Sequence, residues 1–178
     1  REGSLISILD KTQTAMGGRL LKKWISAPLR ELDPIRKRHE SVEELLKNKK
    51  VRKALNDNLK EIGDLERLIS RICTGRATPR EVVAVKSSLK KIPEIKDLLN
   101  QLSVNTLRNI SDQLDPLEKI VEKISSSIID SPPAMINEGG IIRNGFSPEL
   151  DDLRDISLHG KEWIATLQQN ERERTGIA

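Results

Sequence analysis

The sequence predicts an all-α protein, an irregular multi-helix bundle with one long protruding helix and a short extended segment near residues 135–146. Three observations carry this. Apolar residues recur at three- and four-residue spacing over most of the chain, the period of a helix with one buried stripe. Four capping residues followed directly by proline, Asp33-Pro34, Thr78-Pro79, Asp115-Pro116 and Ser147-Pro148, stand at the heads of such stripes. Charged residues make up 33% of the 178 and hydrophobic ones 36%, a balance common in long solvated helices. The length suits one ordinary domain that can bury a core.

The elements follow in order. Met16, Leu20, Leu21, Trp24 and Ile25 mark a helix that Thr14 caps. Asp33 caps a second, with Pro34 at its first helical position and Ile35, Val42, Leu45 and Leu46 as its stripe. Val51, Leu55, Leu59 and Ile62 mark a third. A fourth carries Leu65, Leu68, Ile69 and Ile72 and stops at Gly75. Thr78-Pro79-Arg80-Glu81 is a capping box, in which Thr78 accepts from a free backbone amide and Glu81 reaches back to the Thr78 amide. It opens a helix with Val82, Val85, Leu89 and Ile92. Pro93 starts another with Ile95, Leu98, Leu99 and Leu102, and Leu107, Ile110 and Leu114 mark a short one. Asp115-Pro116 with Glu118 is a second capping arrangement, heading Leu117, Ile120, Val121, Ile124 and Ile128.

From Ile129 to Ser147 the period vanishes among Pro132, Pro133, Gly139, Gly140 and Gly145, and Met135 to Arg143 reads as extended, a short β-pair or a strap. Ser147-Pro148 then caps a final helix with Leu150, Leu153, Ile156, Trp163 and Leu167. Running from Pro148 to Arg172, it would be roughly 37 Å long at about 1.5 Å per residue. A long helix with a thin apolar stripe is a strut, on which Trp163 is expected to be half-buried. The chain opens on Arg1 rather than Met and its last eight residues finish no element, which reads as a piece of a longer protein. Helix spacings from Thr14 to Ile128 are irregular, so a solenoid is not expected.

Several chemistries are excluded by residue type. A single cysteine, Cys73, forms no internal disulfide. The longest uncharged stretch, Leu98 to Leu107, spans ten residues with Asn100, Gln101 and Asn105 inside it, against roughly 20 apolar residues for a membrane span. A soluble, cytoplasmic chain with no membrane partner is expected. Trp24, Phe146 and Trp163 are the only aromatics, too few for base-stacking recognition of single strands. Gly140 and Gly145 have the glycine spacing of a phosphate-binding loop, but Phe146 stands where that loop needs lysine. His39 and His159 lie far from each other and from Cys73 in sequence, so neither a zinc cluster nor a nucleophile–base pair assembles. The adjacent acids Glu43-Glu44 and Asp151-Asp152 point to different sides of a helix and read as solvating charges. No catalytic, cofactor-binding or metal-binding residue is predicted, and the chain is not expected to be an enzyme.

Charge is uneven. The whole chain carries +4, but residues 1–53 hold 14 Lys and Arg against 7 Asp and Glu, whereas residues 148–178 hold 4 against 7. The densest basic run is Lys47, Lys49, Lys50, Arg52 and Lys53. It reads either as the wet side of a helix or as a phosphate-contacting face. Gly63-Asp64-Leu65-Glu66-Arg67 is distinctive. Asp64 caps a helix and Glu66 sits in its first turn, where the helix dipole favours acids. Arg67 and Arg71, four residues apart on one face, either lock two helices together or meet an acidic neighbour. Asp64, Glu66, Arg67, Arg71, Thr78 and Glu81 are thus the expected capping and locking residues.

At these blocks the chain resembles the core or lever domain of the MutS family of DNA mismatch-repair proteins, in its bacterial form. The resemblance begins at Gly3-Ser4-Leu5 through Leu9-Asp10 and runs into Thr14-Ala-Met-Gly17-Gly-Arg19-Leu-Leu21, Trp24 and Pro28-Leu29-Arg30. Ile62-Gly-Asp-Leu-Glu-Arg-Leu68 with Arg71, and Gly75-Arg76-Ala77 with Pro79-Arg80-Glu81, follow in order. Then come Asp130-Ser-Pro132-Pro133, Glu138-Gly-Gly-Ile-Ile-Arg143, Gly145-Phe146 and Glu149-Leu-Asp151, and the chain closes on Glu171-Arg-Glu-Arg174-Thr-Gly-Ile177. Ala15 stands where family members often have proline, a departure confined to the helix start.

The resemblance implies a helical core over 1–128, an extended strap over 129–147 and a lever helix over 148–178 that runs toward a DNA clamp. It implies a structural and allosteric role, coupling an ATPase to that clamp, with no catalysis and no cofactor in this segment. ATP and Mg would belong to the full-length parent. Mismatched duplex DNA, a homodimeric parent and a MutL-type repair partner are the implied partners. Arg172 and Arg174 approach the clamp and are the candidates for DNA-backbone proximity. Two other readings compete: a stand-alone basic helical nucleic-acid-binding module, and a helical protein–protein adaptor.

Overall fold

A computed structural model describes residues 3–176. All its regular elements are helical, and the described residues form no strand element. They fall into two compact units, one ending at Ile141 and one beginning at Ile142. No helix among the described residues is long and apolar enough to cross a membrane.

The first unit contains α1 (Leu5–Leu9), α2 (Ala15–Ser26), α3 (Leu32–Lys47), α4 (Lys49–Lys60), α5 (Leu65–Cys73), α6 (Pro79–Leu89), α7 (Ile92–Asn100), α8 (Asn105–Gln113) and α9 (Glu118–Ser127). α7 packs on α8 and α4, α5 and α9 pack on α6, and α3 packs on α4 and α8. The core sits in the middle of the sequence, in Leu55, Ile62, Val85, Leu89, Ile92, Ile95, Leu99, Leu102 and Leu107. Seven of these are stripe positions of α4, α6, α7 and α8, while Ile62 and Leu102 lie just past the ends of α4 and α7. Leu102 is wholly enclosed.

Polar groups that enter this core bring partners, as desolvated donors and acceptors require. The buried Asn58 amide donates to the Ala54 carbonyl and to Glu94, both at 3.0 Å. Lys86, with a side chain 4% exposed, reaches Asp130 at 2.6 Å. Arg80 donates to the Pro132 carbonyl at 3.0 Å, so α6 holds the chain beyond α9 at two points.

Most predicted helix starts appear as expected. The Thr14 hydroxyl accepts from the Gly17 amide, and Thr78 and Glu81 form the full capping box. Three local expectations are corrected. α3 begins at Leu32, with Glu31 as a cap that makes no side-chain bond. Asp33 and Pro34 therefore lie inside the first turn, where proline's missing N–H forfeits no helix bond. Asp115 does not cap α9: it accepts from the Leu117 amide at 2.9 Å, and Leu117 itself is the cap in a left-handed conformation with φ 51°. An Asx turn has displaced the capping box. Between Met135 and Arg143 the backbone is not extended throughout, because Ile136–Glu138 forms a 3₁₀ turn, closed by the Met135 amide donating to Glu138 at 2.8 Å. Either side of that turn, the Ile129 amide bonds the Ile141 carbonyl at 3.0 Å.

The second unit is built on α10 (Pro148–Thr175), 28 residues and about 42 Å long. The Ser147 hydroxyl accepts from the Leu150 amide, and Gly176 ends the helix with φ 66°. Arg154 fixes the entry, donating to the Ile142 carbonyl at 2.8 Å and to Asn144 at 2.9 Å while pairing with Asp151 at 3.0 Å. No residue of α10 is buried. Trp163 is 65% exposed rather than half-buried, since nothing in its own unit covers that face.

Candidate functional site

The predicted locking residues of the first unit converge on one charged junction that ties α2, α5 and α6 together. α2 presents Arg19. Its start is crowded: a Cβ on Gly17 would lie 3.0 Å from the Thr14 hydroxyl oxygen, and one on Gly18 would lie 3.3 Å from that of Thr12. The two glycines let the Asp10–Thr12 turn, held by Thr12 donating to Asp10 at 2.7 Å, fold against the helix.

The Arg19 guanidinium grips Asp64 with both terminal nitrogens, at 2.8 and 2.6 Å, and reaches Glu66 through Nε at 3.0 Å. A planar fork meeting a carboxylate edge-on is the strong form of this contact. Asp64 does two things at once, because its Oδ1 also accepts from the Arg67 amide as the N-cap of α5. The Arg19 guanidinium, chiefly, holds the Asp64 carboxyl down at about 2, and the same pair raises Arg19.

Arg67 and Arg71 separate in role. Arg67 stays on its own helix, 3.4 Å from Asp64 and largely exposed. Arg71 crosses to α6, pairing with Glu81 at 2.7 Å, and donates to the Arg76 carbonyl at 2.9 Å. Glu81 thereby closes the capping box with the Thr78 amide at 2.7 Å and anchors α5. The Thr78 amide first, then the Arg71 guanidinium, hold its carboxyl below the usual range. A third link needs no charge: the Gly63 amide donates to the buried Ser88 hydroxyl at 3.0 Å.

Arg19 is the partner that sequence reasoning missed. The signal was present as two blocks, Gly17-Gly18-Arg19 and Gly63-Asp64-Leu65-Glu66-Arg67, each with charge left over after helix capping was accounted for. Glu44 was also misread as a solvating acid. It accepts from both the amide and the hydroxyl of Ser103 at 2.9 Å, joining α3 to the turn before α8. The Ser103 amide lowers its carboxyl.

The junction brings no nucleophile to a base. Cys73, His39 and His159 are all exposed, and no group of three or more metal-ligating side chains occurs among the described residues. In the second unit the Gly145 amide is taken by Asp151 at 2.6 Å, a carboxylate where a phosphate-binding loop would offer a free donor. At the end of α10, Arg174 pairs with Glu171 at 2.8 Å. Arg172, in the same turn, is exposed.

Short helices pinned to one another by ion pairs, one of them bidentate, and by shared caps define an all-helical domain. Comparison with known proteins places it within a family. The family model of MutS domain III matches residues 1–176. The DNA mismatch repair protein MutS of Salinibacter ruber is 44% identical over 176 residues, 99% of this chain and 19% of that protein. Those of Halothermothrix orenii and Ruminiclostridium cellulolyticum are 45% and 46% identical over 177 residues, again 99% of this chain and 20% of each. The chain belongs to the MutS domain III family. It spans about a fifth of the length of these relatives.

Proposed function

We propose that this chain is the mechanical core of a DNA mismatch-repair protein, a non-catalytic segment that relays conformational state between an ATPase and a DNA clamp elsewhere in the full-length molecule. The observation that carries the reading is α10, a single helix of 28 residues with about 42 Å between its ends. A helix of that length moves its two ends together, which is what coupling between distant sites demands of a physical element. The pinned α2–α5–α6 junction supplies a body that resists deformation. Membership of a family whose relatives carry the name DNA mismatch repair protein gives the setting.

On this reading residues 1–128 are the helical core, 129–147 the strap and 148–178 the lever helix approaching the clamp. Arg172 and Arg174 come near the DNA backbone there. The segment itself uses no cofactor, ATP and Mg serving the full-length protein. The cytoplasmic parent acts as a homodimer on mismatched duplex DNA together with a MutL-type partner.

The test is Ile156→Pro in the full-length protein, which breaks the helix near its first third. Mismatch binding and ATP hydrolysis should both persist while ATP no longer speeds release from DNA. Release that still follows ATP as in the parent would overturn the relay. Parallel collapse of binding and hydrolysis would do so too, since it assigns Ile156 to folding rather than to coupling.

A further inference from the structure

The outer ridge of α4 is strongly charged, and most of its cations are in no ion pair among the described residues. Leu55 and Asn58 face inward and are buried. On the helical wheel Lys49, Lys53 and Lys60 fall on the opposite side, with Lys50 and Arg52 flanking them. Lys60 is committed to Asp57 at 2.8 Å, and Lys47 at the end of α3 is paired with Glu43. Lys49, Lys50, Arg52 and Lys53 are exposed, and none is in an ion pair among the described residues.

Their placement costs stability. The first turn of α4 contains no acidic residue, and its cap Asn48 makes no capping bond, its amide being turned back to the Glu44 carbonyl. Three cations in that turn therefore face the positive end of the helix dipole and one another. Charge kept against the local electrostatics calls for an anionic partner from outside.

We propose that this ridge is a docking surface for the phosphate backbone of duplex nucleic acid. Four cations occupy about 6 Å of helix axis, the scale on which a duplex strand presents a phosphate roughly every 3.4 Å. An acidic protein surface fits less well. Protein interfaces are built round buried apolar and aromatic anchors, and the outward positions of α4, namely 49, 50, 52, 53, 56, 57 and 60, carry only Lys, Arg, Asn and Asp. Phosphate contact needs no such anchor and reads no sequence. The proposal does not depend on the relay.

The test is fluorescence anisotropy of the 178-residue chain with a fully paired, labelled duplex at 50 and 200 mM salt. Four phosphate contacts predict a slope of log affinity on log salt near −3.6, at about −0.9 per contact, and so roughly 150-fold weaker binding at the higher salt. The variant Lys49→Gln, Lys50→Gln, Arg52→Gln, Lys53→Gln should lose at least about tenfold in affinity at 50 mM, with a slope near zero. A control with the same charge change elsewhere, Lys90→Gln, Lys119→Gln, Lys123→Gln, Lys161→Gln, should keep the ridge-dependent slope. Circular dichroism checks that each variant is folded. If the fourfold ridge variant is not, the double variant Lys49→Gln, Lys50→Gln should halve the slope. Unchanged binding by the ridge variants, equal loss in the control, or no duplex binding at 50 mM salt would overturn the proposal. Poly-glutamate competing as well as unlabelled duplex at equal charge would also overturn it, in favour of an acidic protein.

Discussion

Asp64 is a single side chain with two duties, the cap of α5 and the seat of the Arg19 fork. Its carboxyl is held at about 2, well under its ordinary 3.8. A group whose folded-state pKa is depressed adds stability above its unfolded pKa and loses it as pH falls through the folded one. The melting midpoint of this chain should therefore drop as pH is lowered from about 4 to about 2. Asp64→Asn keeps an acceptor for the Arg67 amide but removes the titrating charge. It should melt lower than the parent at pH 7 and show a shallower decline below pH 4. Thermal melts followed by circular dichroism at pH 2, 3, 4 and 7 check this, and parallel curves for the two proteins would show that the Arg19 fork does not stabilise the fold. The cap was legible in the sequence, because an N-cap needs only the residue and the three that follow it. The fork was not. It joins residues 45 apart, and which of the basic side chains of α2 would turn toward α5 depends on how the two helices pack.

Elements were read more fully than contacts, for the same reason of range. Helix period and capping are local, so α2 and α4 to α8 were recognisable from spacing alone. Where a turn competed with a cap, as at Asp115, local chemistry offered two outcomes and tertiary packing selected one. α10 adds a feature that its length conceals. Gly160 lies at its midpoint, and a Cβ there would meet nothing within 4 Å. Glycine inside a helix costs roughly 0.5–1 kcal/mol relative to alanine because its unfolded backbone is freer. Gly160→Ala should therefore raise the helicity of α10 without disturbing any contact in its unit. Amide exchange at residues 156–164 should slow several-fold, by roughly the factor that such an energy implies. Unchanged or faster exchange would mean that Gly160 is held by something other than backbone freedom. The same substitution in the full-length protein makes the relay element stiffer, and so bears on whether compliance at this point matters to coupling.

At the scale of the whole molecule, stability is concentrated in one part of the chain. Among the described residues, the nine that form the core lie from Leu55 to Leu107, inside the first unit, while α10 buries no residue at all. An isolated helix in water gains little from propensity alone, since most helical stability in proteins comes from packing of an apolar face. Leu153, Ile156, Trp163 and Ile164 are each more than half exposed, so that contribution is missing from α10. The two units should accordingly open at very different free energies. Hydrogen exchange followed by mass spectrometry should find amides of α6 and α7 protected up to the global unfolding limit, and those of α10 exchanging orders of magnitude faster. In a urea titration, protection of α6 and α7 should vanish together at the main transition, and the weaker protection of α10 should be lost at lower urea. Equal protection in both units would mean that α10 draws support from contacts its own unit does not contain, and would assign the molecule a single cooperative fold. The sequence announced the helix and its thin stripe, but the balance between them is a property of burial. Fourteen charged and amide side chains can be counted along α10 from its letters; whether anything covers the apolar ones is decided by the rest of the fold.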